Sequence, residues 1–198
     1  MLYLLRHGQT EFNTVGRYQG WSDSPLTDLG RDQARANAAR LADHLQSPPQ
    51  IWTSPLPRAL ATTEILAQSL PLARTPATLT LDPRLRELSL GVWDGMTRAE
   101  IAVGWPGVRK AHPPRQWMFH APNGEGLEPI LARLRDVLQD ANLAARTGPV
   151  VLVSHGISGR LLRGLHAGLP LHEALHLDAA QDVVHHLLPH GRIDVLAP

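Results

Sequence analysis

Leu2-Tyr3-Leu4-Leu5-Arg6-His7-Gly8 and Val150-Val151-Leu152-Val153-Ser154-His155-Gly156 repeat one local pattern: a short apolar run that stops at a histidine followed by glycine. A continuous apolar run of that length, bounded by punctuation, reads as a strand buried on both faces of a parallel sheet. The histidines then stand where strands end. In an open α/β sheet, ligands bind outside the carboxyl ends of the strands. His7 and His155, far apart in sequence, are therefore candidates for one shared pocket.

Outward from these two runs, strand and helix signals alternate. Residues 1–7 read as the first strand and 8–26 as a polar loop with Gly16, Gly20 and Pro25. Thr27 is a predicted N-cap for a helix to about Gln46, with Ala34, Ala38, Leu41, Ala42 and Leu45 on one face. Pro48-Pro49 ends it. Ile51–Ser54 reads as a strand, and Pro57 suits the first turn of a helix to about Leu70. Thr78–Leu81 is a further strand, followed by a loop with Pro83, Gly91 and Gly95. Thr97 and Glu100 form a capping box. The stretch 104–126 is rich in Pro, Gly, Trp and His, and the region of about 96–126 reads as an insertion or lid over the sheet. A helix over Leu127 to about Arg146 leads to Val150–Ser154. Beyond it come a helix from about Ile157, a short one at Leu171–Leu177, and strands near Asp182–Leu188 and Arg192–Leu196. This alternation predicts one domain over 1–198, a three-layer α/β/α arrangement with a mostly parallel central sheet.

Composition narrows the class. A chain of 198 residues buries a full core without staples. Its apolar fraction of 43%, charged fraction of 19% and net charge of +1 give no global field toward nucleic acid or membrane, so neither is an expected partner and any anion recognition is local. Lys110 is the only lysine; arginine is the better bidentate phosphate binder. The lack of cysteine excludes disulfides, thiolate metal sites and cysteine nucleophiles. Met1 leads directly into the first strand, and no apolar run approaches membrane-span length, so a cytoplasmic protein is the expectation.

The polar residues at or just after the strand ends are Arg6, His7, Asn13, Arg58, Glu87, Ser154 and His155. Two histidines, two arginines and a carboxylate are the parts that phosphoryl transfer needs. Arginines clamp phosphoryl oxygens and neutralise their charge. A neutral imidazole is a competent nucleophile near neutral pH, and a carboxylic acid can protonate a leaving oxygen. Gly8 and Gly156 are expected to let the backbone approach the phosphate, and N–H groups of the helix after Gly156 to donate to it.

Leu5-Arg6-His7-Gly8-Gln9-Thr10 with Asn13 resembles the signature of the histidine phosphatase superfamily, which includes the cofactor-dependent phosphoglycerate mutases. The resemblance continues through Gly20–Thr27 with Gly30 and Gln33, Thr53–Ala59, Leu85–Leu88 with Gly91, Trp93, Asp94 and Gly95, and Val153–Gly156, in the family's order. It implies a phosphoglycerate mutase-like fold and a small phosphorylated metabolite as substrate. It implies neither metal nor cofactor, and a monomer or homodimer. His7 would become phosphohistidine. Arg6, Arg58 and His155 would hold the phosphoryl oxygens, with Asn13, Gln19, Gly20 and Gly156 contributing to substrate binding. Glu87 would protonate the leaving group.

Two departures favour hydrolase over mutase. The interval from Gly95 to Gly124 is short, whereas the resembling mutases carry a longer insertion whose basic residues hold the substrate's second anionic group. Gln19 also stands where the family has threonine. Arg109, Lys110, His112 and Arg115 still lie in the insertion as candidates for a second anion, and Gly126 replaces a frequent serine.

A metal-independent phosphatase is the leading reading, with a phosphoglycerate mutase-type transferase and a non-catalytic phosphate-binding protein as alternatives. His172-Glu173-Ala174-Leu175-His176 matches the zincin pattern HExxH and keeps a zinc hydrolase among them. Trp105, Trp117, Met118 and Phe119 fit a substrate wall or a satellite core equally. Trp21 is a pocket candidate, and His112 and His120 are rim candidates.

Overall fold

The computed structural model describes residues 1–70 and 78–196. Its six strands are β1 (Leu2–Arg6), β2 (Gln50–Thr53), β3 (Thr78–Leu81), β4 (Val150–Ser154), β5 (Val184–Leu187) and β6 (Ile193–Leu196), in spatial order β3-β2-β4-β1-β5-β6. Strands β1 to β4 run parallel, while β5 pairs antiparallel with both β1 and β6.

Side chains alternate across β1 and β4, and both faces are covered, which is why these runs read as continuously apolar. Leu2, Leu4, Val150 and Leu152 pack against α5 (Leu127–Ala144) and α6 (Gly156–Ala167). Tyr3, Leu5, Val151 and Val153 pack on the other face against α2 (Asp28–Ala42) and α3 (Pro57–Ser69). Thr27 caps α2 by accepting from Gly30 N–H, and Pro57 occupies the first turn of α3, as the sequence predicts.

The expected loop 8–26 contains a helical turn, α1 (Glu11–Thr14), closed by a capping box between Thr10 and Asn13. Only Phe12 supplies apolar bulk there, so hydrophobic periodicity could not register it. The region 96–126 begins with α4 (Arg98–Gly104), capped by Thr97 and Glu100, and ends in a 3₁₀ turn at Trp117–His120. Trp105 and Trp117 meet buried Trp93, at centroid distances of 5.6 and 5.5 Å, which ties the region to the main core.

The helix α7 (Leu171–His176) completes the set. Arg6 is the register partner of Ser154, so the residues after them, His7 and His155, leave the sheet side by side. Ser54 follows β2, which pairs with β4 on the other side. Three chain segments thus deliver their next residues to one place.

Candidate active site

His7 and His155 are both 1% exposed, with ring centroids 5.2 Å apart. The Nδ1 of His7 lies 2.7 Å from the Gly8 carbonyl. A carbonyl only accepts, so Nδ1 carries the proton and Nε2 keeps a lone pair, toward which Arg58 Nε–H points at 3.3 Å. His155 is held by the opposite nitrogen: Nε2 is 2.7 Å from Ser54 Oγ, which itself accepts from Leu56 N–H. The Ser54 hydroxyl has no other acceptor among the described residues, so it gives its proton to Nε2. That leaves the proton of His155 on Nδ1, which has no partner among the described residues.

Burial, with the charges of Arg6 and Arg58 next, pushes His7 well below the ordinary imidazole range, against the opposing pull of the Gly8 carbonyl. His155 is pushed the same way by burial, then by Arg58, His7 and Arg6. Both rings are neutral at neutral pH.

Arg58, 1% exposed, starts α3 and donates to Gly20 and Ser22 carbonyls at 2.8 and 2.9 Å, so the loop before α2 fixes its guanidinium. Arg6 donates from Nη1 to the Ala179 carbonyl at 2.6 Å, while its buried Nε has no partner among the described residues. Burial brings Arg6 down to about 10, partly offset by Glu87, and it remains charged at neutral pH.

Asn13 Oδ1 is occupied by Thr10 N–H and by Gln181 Nε2–H at 3.0 Å, which turns the amide's own NH₂ away from both. Gln181 also donates to the His7 carbonyl at 3.2 Å. This residue anchors both His7 and Asn13, yet it lies 174 positions from His7 and carried no motif.

Glu87 is 9% exposed. Its Oε1 accepts from Leu88 N–H and Ser158 N–H, and its Oε2 accepts from Ile157 N–H at 3.0 Å. The first amides of α6 therefore serve this carboxylate, not the phosphate as the sequence suggested. A helix N-terminus favours a negative charge, and the charge supplied is the protein's own.

The two glycines differ from each other. A Cβ on Gly8 would overlap the Gly30 carbonyl, so Gly8 permits α2 to pack. A Cβ on Gly156 would instead stand 3.6 Å from Arg6 Cζ and Glu87 Oε2, in the space between guanidinium and acid. Gly20, expected to bind substrate, takes φ +51°, and a Cβ there would overlap the Asp94 carboxylate.

A cleft of about 820 Å³ unites Arg6, His7, Asn13, Gln19, Gly20, Arg58, Glu87 and Gly156. That is within the size range of small-molecule sites. His155 stands beside it, against His7. Gln19 is 7% exposed and its Oε1 is unpartnered. Trp117 and Met118 are both core and cleft wall, whereas Phe119 is core and Trp105 lines a separate outer hollow.

Trp21 does not line the cleft. Its Nε1–H donates to the Glu87 carbonyl and its ring lies under Arg86. His112 lines the rim, stacked on His120 at 3.7 Å. Ser154 Oγ donates to the Leu85 carbonyl. On α7, His176 Nδ1 bonds the His172 carbonyl, and among the described residues no three His, Asp or Glu side chains converge as a metal site.

A family model for the histidine phosphatase superfamily (branch 1) matches residues 2–192. A Photorhabdus laumondii protein named "Probable phosphoglycerate mutase GpmB" is 38% identical over 183 residues, covering 86% of this chain and 76% of its own. A glucosyl-3-phosphoglycerate phosphatase of Mycolicibacterium vanbaalenii is 39% identical over 178 residues, covering 86% and 75%. The solved structure of a mycobacterial glucosyl-3-phosphoglycerate phosphatase with VO3 superposes with a TM-score of 0.72 at 33% identity, over 93% of this chain and 92% of that one.

Proposed function

The chain belongs to the histidine phosphatase superfamily, and from that premise we propose that it hydrolyses a small phosphomonoester through a phosphohistidine on His7. It is a phosphoric monoester hydrolase of small phosphorylated metabolites, in keeping with its phosphatase relatives.

The observation that supports the mechanism is a pair of buried nitrogens without partners among the described residues, Arg6 Nε and His155 Nδ1, beside the Nε2 lone pair of His7, which is held by a long 3.3 Å bond from Arg58 Nε–H that yields as phosphorus approaches. Buried donors are ordinarily paired; phosphoryl oxygens would complete both. Asn13 and the two unused N–H donors of Arg58 add to this cradle. Nε2 of His7 attacks phosphorus and the ester P–O bond breaks. Glu87 takes up a proton brought by the phosphomonoester monoanion and passes it to the leaving oxygen from Oε2, its less occupied oxygen and the one facing the space beside Gly156. Water then attacks phosphorus while Glu87 takes its proton, the N–P bond breaks with its electron pair returning to His7 Nε2, and phosphate leaves. Arg6 and Arg58 carry the charge neutralisation that Mg²⁺ supplies in kinases.

The test is hydrolysis of p-nitrophenyl phosphate in EDTA by wild type and His7→Ala, with a search for acid-labile protein-bound phosphate. EDTA-resistant turnover and label on wild type alone are expected. Turnover retained in His7→Ala would end the proposal. The relative named as a mutase favours a second reading, return of the phosphoryl group to a phosphoglycerate. Isomerised phosphoglycerate in place of free phosphate would establish it.

A further inference from the structure

Glu87 sits on irregular backbone: residues 86–90 belong to neither helix nor strand. The carbonyls of four consecutive residues there, Arg84 to Glu87, are nonetheless all taken by side chains from elsewhere. Ser154 Oγ donates to Leu85 at 3.0 Å. Arg133, on α5, takes the other three. Its Nη1 donates to the carbonyls of Arg84 at 2.6 Å and Arg86 at 2.8 Å, and its Nη2 to that of Glu87 at 3.1 Å. The Glu87 carbonyl has a second donor, Trp21 Nε1–H at 2.9 Å.

Arg133 lies three residues after Ile130 and four before Val137, both buried, so α5 turns it inward. Its remaining donors go to Glu125, from Nε at 2.5 Å and Nη2 at 2.7 Å. A guanidinium has five N–H groups, and all five are spent on this loop and this carboxylate. Glu125, the acid of Gly124-Glu125-Gly126, is tied to the same loop through its own N–H, which donates to the Ser89 carbonyl at 3.0 Å. A largely buried ion pair is weak evidence for stability, because desolvation offsets the attraction. Packing alone would be served by an apolar side chain, whereas three donors directed at neighbouring carbonyls fix a conformation.

One peptide unit carries that conformation to the acid. The Glu87 carbonyl, held by Arg133 and Trp21, and the Leu88 N–H belong to the same plane, and in a trans peptide they point in opposite directions. Leu88 N–H donates at 3.0 Å to Oε1 of Glu87 itself. Fixing the carbonyl therefore aims the N–H that holds Oε1. With Oε1 bound there and by Ser158 N–H, Oε2 is the oxygen left toward Gly156 and the cleft.

We infer that Arg133 and Trp21 are positioning residues for proton transfer: they lock the Glu87–Leu88 peptide so that Oε2 of Glu87 meets the leaving oxygen. The inference rests on the reading of Glu87 as the acid of a phosphatase. Neither side chain touches the phosphoryl group.

The test compares benzyl phosphate, whose alkoxide leaving group needs a proton, with p-nitrophenyl phosphate, which has a similar shape and needs little protonation. The readout is kcat/KM, which reports phosphoryl transfer to His7. Arg133→Lys keeps the charge beside Glu125 and loses the fork. It is expected to lower kcat/KM on benzyl phosphate by about tenfold to a hundredfold, and on p-nitrophenyl phosphate by roughly threefold or less. Affinity for inorganic phosphate, measured by calorimetry, should not change. In a Glu87→Gln background Arg133→Lys should leave the ratio between the two esters unaltered, because the group it positions is already gone.

Trp21 is 44% exposed, so Trp21→Phe removes one hydrogen bond with little risk to folding and carries the test if Arg133→Lys does not fold. A loss of roughly threefold confined to benzyl phosphate is expected from it. Equal losses on both esters, weakened phosphate binding, or an altered ratio in the Glu87→Gln background would overturn the positioning role alone. Wild-type protein that releases phosphate from neither ester would overturn the hydrolase reading and the positioning role with it.

Discussion

The two strand ends that look alike in sequence do opposite things in space. At β1, His7 is tied by Nδ1 to its neighbour's carbonyl and offers Nε2; at β4, His155 is tied by Nε2 to Ser54 and offers Nδ1. One ring presents a lone pair, the other a proton. The glycines diverge as well. Gly8 accommodates the backbone of α2, and Gly156 clears the space between Arg6 and Glu87. A shared local pattern brought both residues to the same edge, and the different neighbours leave one offering a lone pair and the other a proton, as the proposed nucleophile and donor require.

The sharpest way to break this asymmetry is substitution of each ring. His7→Ala is expected to lower kcat on p-nitrophenyl phosphate by about 10⁴-fold or more, as removal of a nucleophile does. His155→Ala, which removes one preorganised donor, should cost roughly 10²–10³-fold and still form acid-labile phosphate in a single turnover. Labelling of His7→Ala protein would reverse the assignment.

The α6 side of the comparison is tested through Glu87. Glu87→Gln is expected to slow hydrolysis of an alkyl phosphate by roughly 10²-fold or more. An aryl phosphate, whose leaving oxygen needs little protonation, should lose much less. Equal losses would remove the general-acid role.

The glycines give a smaller and qualitatively different contrast. Gly8→Ala forces a Cβ into the Gly30 carbonyl and should cost roughly 1–3 kcal/mol of stability, measured by urea unfolding. Gly156→Ala meets only ordinary contact distances, so it should fold normally and lose phosphate affinity. If Gly156→Ala bound inorganic phosphate as well as wild type, the space beside Arg6 would not be where the phosphate sits.

Acid stability tests what the two rings share. His7, His155 and His185 are all depressed, the last to about 4, chiefly by burial. In the unfolded chain they would protonate near pH 6.5. Below that pH the unfolded state binds protons that the native state refuses, so stability falls as pH drops from about 6.5 toward the native values. Urea unfolding at pH 7 and pH 5 should show the loss, and His185→Phe should flatten part of the slope. A stability that rises on acidification would mean the rings are charged in the native protein.

Most of the scaffold was legible. The apolar runs at Leu2–Leu5 and Val150–Val153, the caps at Thr27 and Thr97, and Pro57 at the start of α3 identify buried parallel strands and their helices, because burial on both faces and chain-end hydrogen bonding leave local marks. The cradle residues were legible through the resemblance of their motifs. Helix α1 was not, since four polar-rich residues held by a cap carry no period.

Gln181 and the partner of the α6 amides were also invisible, and for one reason: each acts through a contact with residues remote in sequence. Gln181 reaches Asn13 across 168 positions, and Ile157 N–H reaches Glu87 across 70. The sequence by itself determined which residues stand at the strand ends and, through their motifs, the family to which the chain belongs. The tertiary structure alone decided which nitrogen each histidine offers, which charges are spent on the protein itself, and which remain for a ligand. Strand order and packing choose each polar group's partner, and a one-dimensional pattern records only that the group is buried.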